Sequence, residues 1–184
     1  MTMTTTPQTI IHFWYTPPLS EHWFNSTPEI DALIRAHYEE VWQQAAAGQL
    51  DSWRDTPEGC LALCIILDQF PLNMFRGQAK SFATEQQAVQ VTKHALAQQF
   101  DEQLTAEQRI FLYMPLMHSE HLADQALSVQ CFARTGLDGN LHFAKHHQAI
   151  VERFGRFPHR NAILGRTNTP AELDYLNSPE AFKG

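Results

Sequence analysis

Apolar residues recur along this chain every three or four positions, the spacing of a helix face, and show no clear period-two run of the kind that marks a strand. The pattern predicts main helices over residues 28–47, 57–69, 85–99, 106–117, 120–134 and 139–154. Short helical turns are expected near 10–14 and 21–24, a short helix near 158–164, and a last one near 170–177. Thr27-Pro28, Thr56-Pro57 and Thr169-Pro170 each set a capping hydroxyl before a proline suited to the first helical position. Capping boxes are expected at Thr84 with Gln87, Thr105 with Gln108, and Thr169 with Glu172. No Asn-Gly or Asp-Gly turn separates β-branched stretches, and no Ser/Gly-rich linker divides the chain. The reading is all-α: a single helical-bundle domain over residues 1–184.

One stretch departs from the amphipathic pattern. Residues 60–67, CLALCIIL, are apolar without interruption, so their helix belongs in the middle of the domain, packed on every side. Asp68-Gln69 follows at once, and Pro71 is expected to stop the helix there. Asp68 would then lie at the inner end of the most buried helix. An ionised carboxylate there is disfavoured by the helix dipole and by burial. It requires a cation, an opening to solvent, or a proton. The expected cation is an arginine, either Arg76 or one from the segment 153–160, because a planar guanidinium satisfies both carboxylate oxygens.

Composition narrows the function classes. The 184 residues are 43% hydrophobic and 18% charged, an ordinary globular balance. Residues 1–9 carry no Lys or Arg and no long apolar core, unlike a signal peptide, and the longest apolar run is far too short to span a bilayer. Three scattered cysteines fit a reduced, cytoplasmic protein with buried, inert thiols. The net charge of −7 argues against a nucleic-acid partner, and a membrane partner has no support. The charge is uneven: residues 1–75 sum to −7 and residues 145–166 to +4. Such a split is most simply used internally, by folding the basic segment onto acidic groups.

Two further polar segments accompany Asp68, Gln69, Asn73 and Arg76. In PLMHSEHLADQ (115–125), Ser119 is expected to cap a helix with Glu120 in its first turn, and His118, His121 and Asp124 recur at intervals of three. A facial metal triad would use such residues, with His142 and His146 as further ligands. No metal signature has this spacing, so no metal and no cofactor are assigned. In ERFGRFPHRNAILGR (152–166), Gly155 is expected to end a helix and Pro158 to start a short one. That places Arg156, His159, Arg160 and Asn161 where guanidinium groups and free N–H groups either hold an anion or pair with carboxylates that tie the bundle together. Nucleophile elbows, P-loops and dinucleotide fingerprints are missing.

These segments also carry a resemblance. His12-Phe13-Trp14, Trp23-Phe24, the run Leu67-Asp68-Gln69-Phe70-Pro71-Leu72-Asn73-Met74-Phe75-Arg76-Gly77, Ser81-Phe82-Ala83-Thr84, His118-Ser119-Glu120 with Leu122-Ala123-Asp124-Gln125, and Arg153-Phe154-Gly155-Arg156-Phe157-Pro158-His159-Arg160-Asn161 together resemble the bacterial domain of unknown function 924 family over nearly the whole chain. The resemblance implies an all-helical fold similar to tetratricopeptide-like domains and brings no assigned activity. Leu72 stands where the family usually has Arg, and His121 where it usually has an acidic residue, which weakens the metal triad further.

The leading expectation is a ligand-binding cleft for a small anionic molecule or a peptide terminus. Gln69, Asn73, Arg76, Asp124, Arg156, Arg160 and Asn161 are its candidate binding residues. The alternatives are an enzyme in the same cleft or a protein-interaction module. In the enzyme reading, His118 or His159 moves a proton while Asp68 or Glu120 orients the imidazole.

Overall fold

Thr6, Thr27, Thr56, Thr105 and Thr169 each accept a hydrogen bond from a backbone N–H three residues on, and each opens an α-helix. The computed structural model describes residues 4–184, so the first three residues of the 1–9 stretch lie outside it. The helices are α1 (Pro7–Tyr15), α2 (Pro28–Ala46), α3 (Pro57–Cys64), α4 (Phe70–Met74), α5 (Glu85–Ala97), α6 (Ala106–His118), α7 (Leu122–Ala133), α8 (Asp138–Phe154) and α9 (Pro170–Leu176). Short 3-10 turns fill several connections, and no strand occurs among the described residues. No described helix is long and apolar enough to cross a membrane.

The apolar run occupies the centre as its composition demands. Leu61, Ala62, Ile65 and Ile66 are fully buried, and α3 packs against α1, α5 and α6. Its first turn also meets the 3-10 turn Asp51–Asp55 so closely that only glycine fits: a Cβ on Gly59 would lie 1.8 Å from the Trp53 carbonyl oxygen. A second, smaller apolar cluster joins Ile150, Val151, Phe157 and Tyr175 near the C-terminal end. Gly155, with φ of 73°, ends α8 in the left-handed conformation expected of it.

Several expectations are corrected. The helix does not stop at Gln69. It widens into a π turn at Ile65–Gln69, where the Phe70 N–H reaches back to the Ile65 carbonyl, and continues as α4 through Pro71. Pro71 occupies the second position of α4, where a missing N–H costs little. The Leu67 carbonyl, deprived of its α-helical donor, receives the Thr84 hydroxyl at 2.6 Å instead. Thr84 is thereby unavailable to cap α5, and Gln87 donates to the Ala46 carbonyl, so that capping box does not form. The turn expected at 21–24 is a 3-10 turn at Leu19–Glu21. The helix expected from 120 begins at Leu122, with Ser119 accepting from the His121 N–H rather than capping it.

Candidate functional site

The π turn carries Asp68 into the interior, 4% exposed, directly beneath the last residue of α6. There the His118 ring presents Nδ1 to both carboxylate oxygens, at 2.9 and 3.0 Å, while Gln69 donates its amide to Oδ2 at 2.8 Å. A carboxylate without a proton only accepts, so a neutral His118 ring at this distance from one carries its hydrogen on Nδ1 and its lone pair on Nε2. Nε2 has no protein partner among the described residues, and the His118 side chain is 20% exposed. Asp68 is therefore met by an imidazole and not by the expected arginine.

Arg160 lies behind the histidine. Its Nη2 donates to the His118 carbonyl at 2.7 Å and its Nη1 to Glu85 at 2.8 Å. The guanidinium carbon lies 4.3 and 4.9 Å from the centres of the Phe82 and Phe157 rings. Glu85 opens α5, where the helix dipole favours a negative charge. Burial nonetheless pushes its carboxyl up, with Arg160 pulling the other way. Arg160 is only 4% exposed and its Nε has no partner, so it braces the backbone that carries His118.

The remaining candidates are distributed over other ion pairs. Asn73 and Arg76 both donate to Asp31, at 2.8 and 2.7 Å. Arg156 grips Glu172 at 2.8 and 2.9 Å, and Asn161 adds a third donor at 3.1 Å. Arg156 foremost holds the Glu172 carboxyl down at about 2. Glu120 accepts from the Phe157 N–H and twice from Arg166, each at 2.8 Å. Burial raises the Glu120 carboxyl, but Arg166 and these other donors outweigh it and hold it below its usual value. Asp124 takes the Ser119 hydroxyl and the Lys93 ammonium, at 2.7 and 2.6 Å, so its carboxylate is already committed to protein partners. His159 packs against the Phe157 and Phe182 rings, and burial, aided by Arg160, pushes its imidazole down to about 4.

Of the expected site residues, the structure thus gathers Asp68, Gln69, His118 and Arg160. Asn73 and Arg76 form a separate group. Glu120, Arg156 and Asn161 belong to a network at the C-terminal end, and Asp124 closes the turn between α6 and α7. Sequence reading passed over Glu85, Asp31, Glu172 and Lys93 as members of these clusters, while Arg166 lay in the basic segment expected to pair with carboxylates. A signal existed for three of them: Asp31, Glu85 and Glu172 each lie in the first turn after a threonine.

No curated protein matches the chain. The solved structure of a protein of unknown function, ATU0120 from Agrobacterium tumefaciens, is 37% identical in sequence and superposes with a TM-score of 0.88. The match covers 93% of this chain and 96% of that one. The family model described as bacterial protein of unknown function (DUF924) matches residues 10–180, and the chain belongs to that family.

Proposed function

We propose that this protein is an acid–base catalyst in which His118 Nε2 accepts a proton from a small bound substrate, or from a water beside it. Asp68 fixes the tautomer and orientation of the ring and stabilises the imidazolium that forms. The observation that carries this reading is the Asp68–His118 pair itself. A carboxylate 4% exposed holds one ring nitrogen at 2.9 and 3.0 Å, and the other nitrogen is left without a protein partner. Arg160 and Glu85 act as positioning residues behind it. No hydroxyl or thiol nucleophile is bonded to His118 among the described residues, which favours direct proton transfer over a covalent intermediate.

The arginine clamp for an anion has less support. Arg76, Arg156 and Arg160 spend their donors on Asp31, Glu172 and Glu85, and no two of them face the same carboxylate. A screen of esters, amides, phosphomonoesters and substrates with an exchangeable α-hydrogen tests the proposal, run with wild type, His118→Gln and His159→Gln. The expected outcome is one active class whose turnover falls by roughly 10²–10⁴-fold in His118→Gln at unchanged melting temperature. His159→Gln should retain it. Activity that survives His118→Gln would end this reading.

A further inference from the structure

A groove of about 390 Å³ opens between the last turn of α5, the 3-10 turn Phe100–Gln103 and α7. It lies at the opposite end of α5 from Glu85, roughly 16 Å along the helix from that residue. Three observations mark it as more than a surface irregularity.

The first is Gln99, which has φ of 57° and is the one non-glycine residue at positive φ among the described residues. It follows α5 at the position where a left-handed residue closes a helix and glycine is the usual occupant. A side chain there is strained, and strain of this kind collects where a side chain has a task. Gln99 is one of the residues that line the groove.

The second is Arg134. Its contact with Asp101 stretches to 3.4 Å, and its side chain is 56% exposed. Arg76, Arg156, Arg160 and Arg166 close on their carboxylates at 2.7, 2.8, 2.8 and 2.8 Å. Arg134 is thus held more loosely than these four, with its Nη2 also 3.8 Å from Cys131 Sγ, and it lines the groove.

The third is Asp101, 4% exposed beneath the groove. The Tyr113 hydroxyl donates to its Oδ2 at 2.6 Å, and Arg134 contacts the same oxygen, so Oδ1 is left without a protein partner among the described residues. Glu102 adds a second carboxylate at the rim, and Leu96 and Leu127 supply apolar walls.

We propose that this groove is a binding site for a small zwitterion of the α-amino-acid type. The ligand's carboxylate meets Arg134, its ammonium meets Asp101 Oδ1 and Glu102, and its side chain lies against Leu96 and Leu127 within reach of the Gln99 and Gln130 amides. The volume stands at the lower end of ligand pockets, roughly 300–1,000 Å³, which suits a single small molecule better than a peptide chain.

The test is titration of the ¹⁵N-labelled full chain with a panel of L-amino acids at millimolar concentration, leucine, glutamine and glutamate among them. At least one should shift the side-chain amides of Gln99 and Gln130 and the Arg134 Nε signal. Arg134→Gln should weaken that binding about tenfold or more, as should N-acetylation or methyl esterification of the same amino acid. Gln99→Gly should relieve the strain, raising the melting temperature by about 2–4 °C, while weakening binding. His118→Gln should leave binding intact. The proposal is overturned if no amino acid shifts these signals, if the shifts survive Arg134→Gln, or if the N-acetylated form binds as well as the free one.

Discussion

The Thr84 hydroxyl donates to the Leu67 carbonyl at 2.6 Å and stands in for the amide hydrogen that Pro71 lacks. The same oxygen accepts the Trp42 indole N–H at 3.0 Å, so three elements meet at one buried hydroxyl. This joint lets the core helix continue past a proline and sets the residue before Gln69 against α6. Thr84→Val keeps the shape but strands a buried carbonyl and a buried indole donor. The expected loss is about 2–4 kcal/mol by urea denaturation, and Thr84→Ser should recover most of it.

Arg160 is a structural brace whose removal is felt through Glu85. With Arg160→Met, the Glu85 carboxylate, 13% exposed, loses its guanidinium partner and is left near the like charge of Asp68. Stability should drop by about 3–5 kcal/mol. In the double variant Arg160→Met, Glu85→Gln most of the loss should return, because no uncompensated charge then remains buried. A double variant as unstable as the single one would mean that the His118 carbonyl, not Glu85, depends on this arginine.

Gly59 offers a sharper steric test. The Trp53 carbonyl occupies the space of a Cβ at 1.8 Å, and the obstacle is backbone, which cannot swing aside as a side chain would. Gly59→Ala should therefore cost roughly 3 kcal/mol or more, although alanine is the better helix former. A neutral or stabilising result in chemical denaturation would mean the Asp51–Asp55 turn yields easily.

What could be read from the sequence was local. The threonine caps at 27, 56, 105 and 169 signal their helices because donor and acceptor lie three residues apart. The apolar run 60–67 announces its own burial. Pro71 reads as a stop only in isolation, because its compensation comes from Thr84, well beyond the helix it rescues. Asp68 signalled the need for a partner, but nothing in residue spacing selects His118, fifty positions away, over an arginine. The basic segment does fold onto acids, yet its partners are Glu85, Glu120 and Glu172, not the acidic first 75 residues. Net charge by segment reports that pairs form; it does not say which.

Acid should unfold this protein in two stages. Burial first, with smaller effects from neighbouring cations, brings His147 and His159 down from 6.5 to about 4 in the folded chain. Between those values the unfolded chain binds protons that the folded chain refuses, so stability falls as pH drops from about 6.5 to 4 and is flat just above. Each histidine contributes at most about 3 kcal/mol. Glu172, held at about 2 by Arg156 against 4.5 when unfolded, extends the decline below pH 4.5. Urea midpoints across this range should show both stages, and His147→Phe with His159→Phe should flatten the upper one alone.

The Asp68–His118 pair makes its own prediction about where a hydrogen sits. In wild type at alkaline pH, ¹⁵N shifts of the His118 ring should show Nδ1 protonated and Nε2 bare, because the carboxylate accepts at 2.9 Å and cannot donate. Asp68→Asn supplies an amide that donates as readily as it accepts. With no charge to hold the Nδ1–H form, the ring is free to turn its hydrogen to Nε2, and the base pointing at solvent is lost. Stability should change by only about 1 kcal/mol, since a hydrogen bond persists in either tautomer. The turnover proposed for His118 should then fall in parallel with the fraction of Nδ1–H tautomer. A variant with its tautomer reversed and its activity intact would separate the histidine from the chemistry altogether.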